Sequence, residues 1–315
     1  QSRNPKPKTQ NAKPETHPLT MDEPVRLIGV PMDLGQSLRG VDMGPSAVRY
    51  AGLAEELRRI GRDVEDQGNV AVPVRSRISD QADRSFLPAV REVCTGTYHL
   101  VRDAIEEGVF PLVLGGDHSL ALGTVGGASH HRRTGVLWID AHGDVNTLET
   151  SPSGNVHGMP LAALMGHGDP ALTTIGRDAP KIRPEDTALV GVRDLDPPEQ
   201  EFLREQDITV CTMREVDERG MAVVVRDLLD RLEPDALHVS LDLDSLDPQV
   251  APGVGTPVTG GFSYREAHLL MEVLAESGRV GSAEVVEVNP ILDERNRTAR
   301  LAVELISSLL GKSIL

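Results

Sequence analysis

The sequence predicts an α/β fold in which a mostly parallel sheet of eight strands is covered by helices on both faces. Two observations carry that prediction. From Val25 onward, short runs rich in Val, Ile and Leu alternate with longer amphipathic segments, the pattern of successive β-α-β units. No internal repeat and no Pro/Gly/Ser-rich linker divides the chain after its first 22 residues, so 23–315 reads as one domain.

In chain order the expected strands are "VRLIGV" (25–30), "DVEDQGNV" (63–70, the weakest apolar signal), "VFPLVLG" (109–115) and "GVLWID" (135–140). They continue with "TALVGV" (187–192), "ITVCTM" (208–213), "ALHVSLDLD" (236–244) and "SAEVVEV" (282–288). Helices are expected at 46–60, 87–107, 119–132, 218–232, 263–277 and 296–310. The stretch 263–278 shows the signals: Ser263 as amino-terminal cap, Glu266 three residues on as in a capping box, and Gly278 after the last apolar turn. His268 within it is expected on the helix surface.

Composition excludes several classes of function. The 48 acidic against 32 basic residues give a net charge of −16, which disfavours nucleic acid and anionic membrane surfaces as partners. Two cysteines, Cys94 and Cys211, cannot build a disulfide framework or a thiolate zinc site and read as small buried residues of a reducing compartment. No stretch approaches the ~20 apolar residues of a membrane span, and the first residues lack the apolar core of a secretion signal. The expected location is therefore the cytoplasm. Residues 1–22, rich in Pro, Lys, Thr, Asn and Gln, are expected to form a flexible tail.

Chemistry-bearing residues collect where the expected strands end. "VLWIDAHGDVNT" places Asp140, His142 and Asp144 at two-residue intervals, and in extended backbone such residues point to one side. "ALHVSLDLDSLDP" delivers Asp242 and Asp244 at the same spacing, and "VFPLVLGGDHS" ends in Asp117 and His118. Glu287 closes "SAEVVEV", while Asp194 and Asp196 follow "TALVGV". Ligand sites of open parallel sheets lie along that carboxyl rim. For Asp117, Asp194 and Asp247 the reading is a solvated turn. Electrostatics decides for the remainder, because four clustered aspartates cannot all stay ionised in a partly buried cleft unless cations hold them. Two imidazoles among them favour cations over neutral acids. Six ligands, two of nitrogen and four of carboxylate, suit a two-metal hydrolytic centre; lacking thiolate, the set ranks Mn²⁺ above Zn²⁺.

Longer blocks around these residues resemble the arginase branch of the ureohydrolases. "GGDHSLALGT", "DAHGDVNTLETSPSGNVHGMP", "SLDLDSLDP" with "APGVGTPVTGG", and "VEVNPILD" appear in that family's order, and "GVPMDLGQSLRGVDMGPSAVRYAGL" extends the similarity over about residues 25–313. The resemblance implies a three-layer α/β/α sandwich with an eight-stranded parallel sheet. It also implies two Mn²⁺ per subunit, one held by His118, Asp140, Asp144 and Asp242, the other by His142, Asp140, Asp242 and Asp244. A hydroxide bridging them would attack the guanidinium carbon of L-arginine, yielding L-ornithine and urea.

By the same resemblance Glu287 pairs with the guanidinium group and His157 transfers a proton. Asn146, Ser153 and Asn155, with Ser151 as a weaker candidate, would bind the substrate's α-carboxylate, Asp196 would face its α-amino group, and Thr256 would stand near the substrate. The family forms trimers or hexamers, so a homotrimer or homohexamer is expected. Pro198, two residues after Asp196, departs from the family pattern. Alternatives are a hydrolase of another guanidino compound, of agmatinase or guanidinobutyrase type, and a catalytically silent relative. A two-metal phosphoesterase would need cations along the rim, where only Arg193 is evident.

Overall fold

The computed structural model describes residues 23–78, 86–178 and 180–313; the expected tail at 1–22 lies outside the described residues. Eight strands form one sheet: β1 (Val25–Val30), β2 (Val64–Asn69), β3 (Phe110–Gly115), β4 (Thr134–Ile139), β5 (Thr187–Val192), β6 (Thr209–Thr212), β7 (Ala236–Asp242) and β8 (Val280–Val286). Their spatial order is β2-β1-β3-β8-β7-β4-β5-β6, and every pairing is parallel. The weak segment at 63–70 is the edge strand β2; only Val64 of it is buried, which is why its apolar signal is faint.

Helices cover both faces, as predicted. Side chains alternate across each strand, so Leu137 and Ile139 of β4 enter one apolar core while Val136 and Trp138 enter the other. The first core is closed by helices Gly44–Tyr50, Leu53–Arg59, Met221–Arg231, Tyr264–Glu276 and Arg297–Leu309. The second is closed mainly by Leu87–Glu106, Ala121–Ala128 and Pro160–Leu164.

Some boundaries differ from expectation for local reasons. The helix expected at 46–60 is two, separated where Gly52 takes φ 91°, a left-handed value that interrupts the α-helical run. The one expected at 119–132 begins as a 3-10 turn at His118–Leu120 and ends at Ala128. Helices Pro197–Glu205 and Met213–Arg219 were not anticipated; each starts from a capping box, Asp196 with Glu199 and Thr212 with Glu215. His268 is buried rather than on the surface, its Nδ1 2.9 Å from the Ser308 hydroxyl of the neighbouring helix.

Helix Ala121–Ala128 fixes the turn that carries His118, and it lies close against Leu87–Glu106. A Cβ on Gly123 would stand 2.4 Å from the Cys94 carbonyl oxygen, and one on Gly127 2.5 Å from that of Tyr98. Backbone meets backbone there, so added volume cannot be absorbed by a side-chain rotation. Gly123→Ala is expected to destabilise the fold by about 1–3 kcal/mol despite the better helix propensity of alanine. Urea unfolding measures this, and a variant of unchanged stability contradicts the close approach.

Candidate metal centre and active site

The four central strands β3, β8, β7 and β4 bring their carboxyl ends to one place. His118 follows β3, Glu287 follows β8, Asp242 ends β7 with Asp244 beyond it, and Asp140, His142 and Asp144 follow β4. His118, Asp140, Asp144, Asp242 and Asp244 are all buried. Asp144 and Glu287 hold left-handed backbone at φ 53° and 64°. Such conformations cost about 1–3 kcal/mol where the residue is not glycine, so surrounding packing must enforce them.

Two imidazole–carboxylate sets result, joined by Asp140. His118 Nδ1 lies 3.1 Å from Asp140 Oδ2, from Asp144 Oδ2 and from Asp242 Oδ2. His142 Nδ1 lies 3.3 Å from Asp140 Oδ1 and 3.1 Å from Asp244 Oδ2. Asp140 therefore turns one oxygen to each imidazole. Asp242 reaches only the first set in this way; its Oδ1 accepts the Asp244 backbone N–H at 2.8 Å. Trp138 anchors the junction, donating from Nε1 to Asp140 Oδ2 at 3.0 Å and stacking on the His118 ring at a centroid distance of 4.0 Å.

These sets fit divalent cations. His118 Nδ1 is buried and unsatisfied within the chain. His118, Asp140 and Asp144 each bring one ligand atom within 4.8 Å of the others, as do Asp140, His142 and Asp244, a spread that a divalent cation can span; Asp242 approaches His118 but is in neither mutually close group. Electrostatics agrees. Burial together with the charges of Asp244 and Asp140 pushes Asp242 well above the usual carboxylate range. Burial and the charge of Asp140 raise Asp144 to about 6. Burial would raise Asp140, but the neighbouring imidazoles of His118 and His142 outweigh it and hold the carboxyl well below the usual range. By themselves, then, the residues hold a strained arrangement of like charges that added positive charge relieves.

Above the sets opens a cavity of about 140 Å³ lined by His142, Asp144, Asp242, Asp244, His157, Asn146, Ser151, Ser153, Asp196, Glu199 and Thr256, with Pro152 and Gly158. Thr256 donates to Asp244 Oδ2 at 3.1 Å, and Asn146 Nδ2 donates to Asp196 Oδ2 at 3.1 Å. Ser151 and Ser153 shape their own loop, accepting from the backbone N–H groups of Gly154 and Asn155. Of the expected substrate-binding residues, Asn155 and Glu287 do not line this cavity; Asn155 is drawn elsewhere. Its Oδ1 accepts the Ser37 hydroxyl at 2.9 Å, and it lines a neighbouring cavity with Arg75 and Phe86.

Glu287 is buried at one end of the site. Its Oε1 accepts the His118 backbone N–H at 2.9 Å and faces His157 Nδ1 at 3.2 Å, while Oε2 accepts from Gln36 Nε2 at 2.9 Å. Burial disfavours a charged His157, but the hydrogen bond and charge of Glu287 outweigh it and raise the imidazole to about 9. The pair thus stabilises the fold fully below the ordinary imidazole value of ~6.5, and that contribution is lost as the pH climbs through about 9.

The turn residues sort differently from expectation in one respect. Asp117 is fully buried, not solvated, and accepts from the backbone of Gly35 and from the backbone and hydroxyl of Ser119. Asp247 does hold a turn, accepting from Gln249 and Gly260. Gln36, Glu199 and Glu284 went unnoticed in the sequence. Glu199 was legible as the capping-box partner of Asp196; burial and the charge of Asp144 raise it to about 7.

A parallel α/β sheet with joined imidazole–carboxylate sets at its carboxyl rim defines the class of metal-dependent hydrolases. The Arginase family model matches residues 23–311, and the chain belongs to that family. It is 56% identical over 298 residues to the arginase of Bacillus caldovelox, covering 93% of this chain and all of the relative. Against the Bacillus subtilis arginase the identity is 53% over 297 residues, 94% and 100% of the two chains. The solved native structure of the Bacillus caldovelox arginase superposes with a TM-score of 0.91, covering 93% of this chain and 100% of that one.

The clustered carboxylates carry a prediction. In chelator-treated protein, Asp242→Asn is expected to raise the thermal midpoint, because it removes one of the mutually repelling charges while Oδ1 still accepts from Asp244. The same substitution is expected to abolish the stabilisation that added Mn²⁺ gives the unsubstituted chain. Calorimetry with and without the ion reads both effects, and a lowered midpoint without metal contradicts the repulsion.

Proposed function

We propose that this chain hydrolyses L-arginine to L-ornithine and urea with two divalent cations, manganese foremost, per subunit. The observation that carries this reading is Asp140 offering one carboxylate oxygen to each of two imidazoles beneath a cavity rimmed by small hydrogen-bonding groups. His118, Asp140, Asp144 and Asp242 would hold one ion, and His142, Asp140, Asp242 and Asp244 the other. When bound, the pair supplies Lewis acidity and activates water for attack on an amidine carbon.

The chain's own residues do the rest. Glu287, held ionised by His157 and by backbone and amide donors, offers a buried anion to the guanidinium group. His157 carries a proton at neutral pH and stands at the cavity wall, in reach of a departing amine. Ser151, Ser153 and Asn146 meet the α-carboxylate, with Asn155 holding the loop's far side, and Asp196 faces the α-amino group. Thr256 steadies Asp244. All six ligands, His157 and Glu287 are present, which separates this reading from a silent relative. Arg193, the cation a phosphoesterase would need, donates instead to the carbonyls of Gly191, Asp244, Ser245, Leu246 and Val258.

Among the described residues no helix is long and apolar enough to cross a membrane. A homotrimer or homohexamer in the cytoplasm is the assembly this reading carries, and light scattering measures it.

Two experiments test the proposal. Mn²⁺-loaded protein is expected to release urea from arginine far faster than from agmatine or 4-guanidinobutyrate; a preference for either of the latter moves the assignment to a related amidinohydrolase. His157→Ala is expected to keep its metal while slowing turnover by about 10²–10⁴-fold. In the unsubstituted protein kcat is expected to fall on the alkaline side as His157 loses its proton, and the variant loses that limb. Unchanged turnover across pH removes His157 from proton transfer.

A further inference from the structure

Behind the His118 ring, on the side away from the cavity, the sheet is polar where sheets are ordinarily apolar. Glu284 lies in the middle of β8 with 0% exposure. The Thr124 hydroxyl donates to its Oε2, and the Ser240 hydroxyl, from the neighbouring β7, donates to its Oε1 at 2.7 Å. His238 Nε2 stands 3.6 Å from the same oxygen. Ser240 Oγ is also 2.7 Å from His118 Nε2, so Glu284, Ser240 and His118 form a continuous chain into the metal centre. A buried carboxylate is costly unless it is paired and hydrogen-bonded; Glu284 has such partners, yet none of the cavity chemistry uses it.

Counting protons gives it a role. A hydroxyl has one hydrogen to donate. When Ser240 gives it to Glu284, the serine oxygen can only accept from His118, which places the ring hydrogen on Nε2 and the lone pair on Nδ1. Nδ1 is the atom 3.1 Å from three carboxylate oxygens and otherwise unsatisfied. A hydroxyl freed from Glu284 could instead donate to Nε2, and the ring hydrogen would then sit on Nδ1, where it blocks a cation. We propose that Glu284 is a positioning residue: acting through Ser240, it fixes the orientation and tautomer of His118 so that Nδ1 faces the carboxylates as a ligand. This rests on the metal reading of the site given above.

Metal binding, not turnover, tests it. Mn²⁺ per subunit is counted after gel filtration, and each ion's affinity is followed by electron paramagnetic titration, for the unsubstituted chain, Glu284→Met, Glu284→Gln and Ser240→Ala. The unsubstituted chain is expected to hold two ions. Glu284→Met and Ser240→Ala are expected to weaken one of them by about 10–100-fold and spare the other. Glu284→Gln is expected to restore it, because the amide keeps an acceptor oxygen toward Ser240 and turns its NH₂ to Thr124. Where Glu284→Met fails to fold, Ser240→Ala against Glu284→Gln decides. Two ions at undiminished affinity in Ser240→Ala overturn the proposal. So does an equal loss at both sites in Glu284→Gln and Glu284→Met, the result of a packing role alone. An unsubstituted chain that binds no Mn²⁺ refutes the metal reading itself, and is seen before any variant is compared.

Discussion

Repulsion among four buried aspartates is the constraint around which this molecule is organised. Like charges in a low-dielectric site raise one another's proton affinity, and here burial and the neighbouring aspartates act in that direction on Asp144, Asp242 and Asp244. Two imidazoles partly compensate, but an arrangement that leaves His118 Nδ1 unsatisfied among three carboxylates makes little sense as a structural device. It makes sense as a ligand cage. The fold tolerates the electrostatic cost because cations at the site convert it into affinity.

The sheet order explains how the cage is built. Parallel strands all deliver their carboxyl ends to one edge, and the order β3-β8-β7-β4 sets side by side four strands that are distant in the chain. Residues from 118 to 287 therefore meet within hydrogen-bonding distance on rigid backbone. Asp144, after β4, and Glu287, after β8, both take left-handed backbone, which the packing around the site must enforce. Trp138 makes the strand beneath continuous with the cage, since one indole both stacks on His118 and holds Asp140.

Much of this was legible in the sequence because the governing signals are local. Apolar runs mark seven of the strands, with only a faint signal at the edge strand β2, and two-residue spacing puts Asp140 with His142 and Asp242 with Asp244 on one side. What stayed hidden depends on partners far away in the chain. Asn155 belongs by position to the rim loop, yet Ser37 draws its side chain to another cavity. Asp117 looked like a surface turn, and only the packing of the Gly35 loop over β3 buries it. Asp196, expected to face the substrate's α-amino group, also caps a helix. Glu284 offered a visible clue, a carboxylate in mid-strand, but its meaning needed the register that places Ser240 beside it.

Charge on this rim is also directed by what the backbone demands. Arg193 lies among the acidic residues, near enough that their charges favour its protonated form, while burial opposes it and lowers its affinity for the proton overall. Its guanidinium nevertheless forms no salt bridge with them; it gathers five carbonyls from β5, from the turn after β7 and from the loop at Val258. The geometry is that of a brace: planar donors tie the backbone under Asp244 to the end of β5. Positive charge is thus kept close to the aspartates without capping their oxygens, which leaves those oxygens facing His142 and the cavity. A lysine, with one point of attachment, could supply the charge but not hold three segments in register. The same division recurs at His118, where contacts on one ring nitrogen free the other for the cage.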